Sequence, residues 1–217
     1  RQMCIRDSDV GKKQAKKDRV LKDKEVGRLW AAISSGDVFL PYYTNLLRIT
    51  TLFGCRTQEA RLSEWAEWDM EAWVWTVPKA HSKGGEKIVR PVPEAMRSFI
   101  EILHDETKSS GYLLGVVKNS EAVSQWGRSV YKKLGHSEPW TLHDLRRTLA
   151  THMNNMGIAP HVVEQLLGHS MPGVMAIYNR SLYLPEKLDA LNKWYDRLEL
   201  LAGNHQNVVL LTVANRD

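Results

Sequence analysis

The chain has 217 residues, 43% of them apolar with eight tryptophans, which is enough for one large domain with short appendages. A net charge of +5 and a pI near 9.2 favour a polyanionic partner. Cys4 and Cys55 form no CxxC or metal spacing, the first residues form no apolar signal segment, and VVLLTVA is too short for a membrane helix, so a disulfide-stapled, secreted or membrane-spanning class is not expected.

Residues 1–20 are taken as a linker or fragment boundary, 21–202 as the domain that carries the chemistry, and 203–217 as a C-terminal tail. The opening RQMCIRDS has no initiating methionine and plays no part in the fold argument. GKKQAKKDRVLKDK is dense in lysine, and KAHSKGGEKIVR forms a second basic patch; each suits a plain solvated surface as well as a nucleic-acid contact. Asp23 is the expected N-cap of a helix whose Val26, Leu29, Trp30 and Ile33 recur at i, i+3, i+4 and i+7. Pro41 opens a second helix with Leu46, Leu47, Ile49 and Leu52, which Gly54 ends; a short helix then carries Arg56 and Glu59. The period next switches to two. AWVWTV places Trp73, Trp75 and Val77 on one face, KIVRPV returns after Gly84 and Gly85, and a strand near Trp65 to Asp69 precedes them. Further helices are expected over Glu94–Glu106, Glu121–Leu134, Thr141–Met156, Pro160–Leu167 and Pro185–Leu201, with Gly157 and Gly168 as C-terminal stops. These elements make a mostly helical α+β domain of about eight helices and a three-stranded sheet. Beyond the last helix, NVVLLTV forms a final candidate strand.

Five side chains stand out chemically. His143 and Arg146, three residues apart, share one helix face; Thr141 as N-cap with Asp144 three residues on puts them near a helix N-terminus, where free N–H groups favour an anion. Arg147, four residues from His143, is the rival to Arg146. His169 follows the helix-ending Gly168 in LLGHS, placed either to donate to a phosphate oxygen or simply to cap the helix. Tyr178 lies nine residues further on, among apolar neighbours that also suit a core position, with Tyr183 and Tyr195 as competitors. Arg56 offers a guanidinium fork for two phosphate oxygens, with Glu59 as its support. Eight histidines include no HExxH and no Cys/His ligand pair, and GxxxxGK[ST] does not occur, so neither a metal nor a nucleotide cofactor is expected.

In order and spacing, GCRTQEA at Arg56, HxxR at His143 and Arg146, LLGHS at His169, and Tyr178 together resemble the catalytic domain of the tyrosine recombinases, the phage-integrase family. The likeness runs roughly from Leu21 to Tyr195; Phe53 stands where the family's TGxRxxE pattern usually has threonine. It implies the tyrosine-recombinase catalytic fold, mostly helical with a small three-stranded antiparallel sheet. It implies that Arg56, Arg146 and His169 hold a scissile phosphate while Tyr178 attacks phosphorus, giving a 3′-phosphotyrosyl enzyme and a free 5′-hydroxyl. His143 would assist proton transfer or position the phosphate. A hairpin lysine would protonate the leaving oxygen: Lys83, five residues after Pro78, fits best, with Lys79 and Lys87 as alternatives. The implied partners are double-stranded DNA attachment sites, a homotetramer on DNA and DNA-bending accessory proteins, in the cytoplasm of a bacterial or phage host. A core-binding domain would precede this one. A type IB topoisomerase shares fold and chemistry, and a catalytically silent DNA-binding module is the other alternative. NVVLLTV is expected to pair either with its own sheet or with a neighbouring subunit.

Overall fold

The computed structural model describes residues 19–169 and 182–203. Helix α1 (Asp23–Ser35) buries Val26, Leu29, Trp30 and Ile33, the stripe its apolar spacing predicts. Its cap differs from the expectation. Asp23 is the first helical residue, and the Glu25 carboxylate reaches back to accept from the Lys22 N–H at 2.9 Å. Helix α2 (Pro41–Phe53) starts on a proline whose fixed φ suits a first turn and stops at Gly54, which is left-handed at φ 57°. Helix α3 (Thr57–Leu62) follows, with Arg56 at its N-cap rather than inside it.

Strands β1 (Trp68–Asp69), β2 (Val74–Val77) and β3 (Ile88–Pro91) form an antiparallel sheet in the order β1-β2-β3. The first strand is shorter than expected because Trp65–Glu67 is a 3₁₀ turn. Trp73 is a turn residue and not part of the expected strand: at φ 53° it turns the chain between β1 and β2, packs partly buried against the core, and has the Arg97 guanidinium 5.1 Å from its ring. Trp75 and Val77 carry the inner face, both fully buried. Trp75 stacks on Trp68 at 5.0 Å and meets Phe53 edge-on at 5.5 Å, which fastens the sheet to the end of α2. The Glu67 carboxylate satisfies the polar rims of this cluster, accepting from Trp75 Nε1 at 2.9 Å and Ser63 Oγ at 3.1 Å. His81 Nδ1 lies 2.5 Å from its other oxygen.

After α4 (Glu94–Thr107), the single helix expected over Glu121–Leu134 is two, α5 (Ser120–Gly127) and α6 (Val130–Lys133). Ser129 breaks it: its N–H and its hydroxyl both donate to Trp126 O, at 2.9 and 2.7 Å, so a local turn replaces the helical ladder. Helices α7 (Leu142–Asn155), α8 (Pro160–Leu167) and α9 (Leu184–Ala202) follow. The core joins α1, α2, α7, α8, α9 and the sheet. Helix α9 lies along α1, where Trp30 Nε1 donates to Glu199 at 2.6 Å, and Trp194 Nε1 reaches across to Thr51 O at 3.0 Å. Among the described residues, no helix is long and apolar enough to cross a membrane.

Candidate active site

Three chain reversals converge on one cluster. Gly54 ends α2 and leads into Arg56, whose Nη1 lies 3.3 Å from Glu59 on the first turn of α3. Glu59 is fully buried, and its second oxygen accepts from Arg90 Nη2 at 2.7 Å, so one carboxylate serves two guanidiniums. Arg90 is also fully buried on β3; its Nε donates to Leu166 O at 2.8 Å and its cation sits 5.0 Å from the Trp75 ring.

Helix α7 supplies the second arm. Asp144 Oδ2 accepts from both the N–H and the hydroxyl of Thr141 at 2.8 Å, closing the first turn as the sequence suggested. Asp144 also accepts from Arg147 Nη1 at 2.7 Å. Arg146 is 4% exposed; Nη1 donates to Gly54 O at 3.0 Å and Nη2 to Leu167 O at 2.6 Å. Arg90 and Arg146 therefore satisfy consecutive carbonyls at the C-terminus of α8, one from the sheet and one from α7.

That arrangement delivers His169. Gly168 turns the chain at φ 68°, and a Cβ there would come within 2.2 Å of Ile88 Cδ1, so both the backbone and β3 call for glycine. The His169 N–H donates to Glu164 O at 3.0 Å, its Nε2 lies 2.6 Å from Arg146 Nη2, and its Nδ1 contacts the Glu164 carboxylate.

Burial, and then the nearby charge of Arg56, pushes Arg146 down from 12.5 to about 10, so it remains a cation at neutral pH. Partial desolvation, followed by the charges of Arg147 and Arg146, lowers the exposed His143 below its ordinary 6.5, so it is mainly neutral at pH 7. The thiol of Cys55 is fully desolvated and pushed up to about 12, which marks it as a core residue and not a nucleophile. Beside His143, Thr57, Ser124, Arg128, Thr141 and Leu142 line a cavity of about 210 Å³. Among the described residues no cluster of His, Cys, Asp and Glu is arranged to hold a metal.

The structure thus brings Arg56, Arg146 and His169 into one cluster, with His143 on its α7 flank. Lys83 lies in the exposed β2–β3 loop and makes no hydrogen bond or ion pair to the cluster among the described residues. Lys79 in the same loop is 3.8 Å from Glu86. Tyr178 lies outside the described residues, as do residues 204–217 with NVVLLTV. Of its competitors, Tyr195 packs edge-on against Trp30 at 6.0 Å, and burial with Glu199 beside it pushes its hydroxyl up from 10. Tyr183 sits against His161 at 5.1 Å. Sequence reasoning missed Arg90, which KIVRPV presents as part of a basic patch; four consecutive buried strand residues hide it. It also missed Glu164, whose five-residue step to His169 matches no helical face, and Lys187 on α9.

The sequence model of the phage integrase family matches residues 19–184, and the chain belongs to that family. It is 28% identical over 164 residues to prophage integrase IntZ of Escherichia coli K12, a match covering 73% of this chain and 40% of the relative. The chain thus spans less than half the length of that relative. Among solved structures, XerA recombinase superposes with a TM-score of 0.58 at 21% identity, over 82% of this chain and 64% of the other. The Tn1549 transposon integrase in complex with circular intermediate DNA gives 0.56 at 18% identity, over 77% and 63%.

Proposed function

We propose that this chain is the catalytic part of a site-specific DNA recombinase that cuts and rejoins DNA through a 3′-phosphotyrosyl intermediate on Tyr178. The observation that carries this is the Arg146 guanidinium, fixed on two backbone carbonyls, touching His169 and flanked by the Arg56–Glu59 pair. Donors locked before substrate arrives cost no reorganisation when charge develops on a phosphate. Arg56 and Arg146 neutralise the non-bridging oxygens, and His169 adds a third donor once a proton reaches its Nε2. The Tyr178 hydroxyl passes its proton to the neutral His143 and attacks phosphorus, and the P–O5′ bond breaks. Lys83, on its exposed loop, supplies the proton that the departing 5′ oxygen takes up, and the neutral His143 relays protons at the edge of the site. The reverse attack by a 5′-hydroxyl of a second duplex exchanges strands with no nucleotide cofactor.

Membership of the phage integrase family favours this over a type IB topoisomerase, and the intact cation cluster favours it over a silent binding module. Double-stranded attachment-site DNA, assembly as a tetramer, bending proteins and action in the bacterial cytoplasm belong to the same proposal.

The Lys83 assignment has a direct test. Lys83→Ala should cleave an ordinary phosphodiester slowly, and a 5′-bridging phosphorothioate, whose sulfur leaves without a proton, should restore most of the rate. Equal defects on both substrates would make Lys83 a binding residue and return Lys79 and Lys87 to consideration.

A further inference from the structure

Glu164 belongs to none of the motifs, yet it is bonded to the ring that the proposed chemistry depends on. It lies on the last turns of α8 and meets His169 Nδ1 across the turn made by Gly168. The opposite ring nitrogen, Nε2, lies 2.6 Å from Arg146 Nη2. A guanidinium only donates, so Nε2 must present its lone pair there. The ring hydrogen of the neutral imidazole therefore resides on Nδ1, where the Glu164 carboxylate accepts it. Which nitrogen of a histidine carries the hydrogen is set by the partner of the other, and such partners orient the ring as well. Both side chains are half-exposed, 41% for His169 and 49% for Glu164, so among the described residues no packing wall holds the ring in place of this bond.

We infer that Glu164 is a positioning residue for phosphoryl transfer: it holds His169 as the Nδ1–H tautomer with Nε2 turned toward Arg146 and the phosphate that Arg146 grips. A proton that reaches Nε2 from solvent displaces the Arg146 hydrogen bond there and forms an imidazolium facing the phosphate, with its charge offset by Glu164 behind it. The inference rests on the recombinase proposal for its chemistry and on the two ring contacts alone for the tautomer.

The test has two independent arms. In the first, ¹⁵N–¹H correlation spectra of the imidazoles are recorded for the parent and for Glu164→Ala, with His169→Gln to assign the signal. The parent should show His169 with hydrogen on Nδ1, and Glu164→Ala should move it to Nε2. In the second, covalent adduct formation on a nicked suicide duplex is timed at saturating DNA. Glu164→Ala should slow it by about 10–100-fold, the range typical of lost orienting partners, with noncovalent DNA affinity unchanged. Glu164→Gln keeps an acceptor oxygen and should recover the parent tautomer and most of the rate. In a His169→Gln background, Glu164→Ala should cost nothing more. An Nε2–H tautomer in the parent, or a parent-like rate in Glu164→Ala, would overturn the inference. A parent that forms no adduct while showing the expected tautomer would sink the recombinase proposal and leave the positioning of His169 by Glu164 standing.

Discussion

Glu59 sits between two guanidiniums, one in the proposed site and one in the core, and this makes it the residue through which packing sets the chemistry. Removing one partner of a buried ion pair strands the other. Glu59→Ala should lower stability by about 3–5 kcal/mol, seen in denaturant unfolding, because Arg90 keeps a charge with no exposed surface. Glu59→Leu combined with Arg90→Met should recover most of that loss; a double variant as unstable as the single would place the role of Glu59 elsewhere. Lys187 is a second buried charge, 2% exposed, donating to Val89 O at 3.0 Å. Burial, and then the Arg90 charge, depresses it from 10.5 to about 8. Between those values the unfolded chain holds a proton that the folded chain has released, so folding gains stability as pH rises through this window. The melting temperature of the parent relative to Lys187→Met should therefore climb from pH 7 to pH 10, and a flat difference would contradict the assignment. Arg56, His143, Arg146 and His169 were legible in the sequence because their spacing is local: a helix turn fixes HxxR and a glycine stop fixes LLGHS. Arg90, Glu164 and Lys187 were not, since each takes its role from an element distant in sequence or from a step of no helical period.

At the scale of elements, the close approach of α1 and α9 depends on Gly27. A Cβ there would fall 2.2 Å from the Leu201 carbonyl oxygen, a backbone atom that cannot rotate aside. Gly27→Ala should push α9 outward and cost about 1–3 kcal/mol, the usual price of overpacking, measurable as a lower melting temperature. An unchanged melt would mean that the two helices are looser than described. Apolar periodicity made α1, α2, α7, α8 and α9 readable, and the glycine-tipped hairpin gave β2 and β3. The periodicity could not show where a turn competes with it. Ser129 splits one expected helix by taking Trp126 O, and Trp73 leaves its strand for a left-handed turn.

At the scale of the molecule, the described residues form the frame of the proposed phosphate-binding site, with guanidiniums from the α2–α3 turn and α7 and an imidazole from the α8 terminus brought onto one another. The chain spans less than half of the curated integrase it matches. NVVLLTV remains the proposed contact between subunits or with its own sheet. The central claim is that this cationic frame serves Tyr178. The most direct measurement is to trap the protein on a nicked suicide duplex, digest the adduct and locate the nucleotide-bearing tyrosine by mass spectrometry. The adduct should map to Tyr178 and vanish in Tyr178→Phe while noncovalent DNA binding persists. An adduct on Tyr183 or Tyr195, or one that survives in Tyr178→Phe, would contradict it.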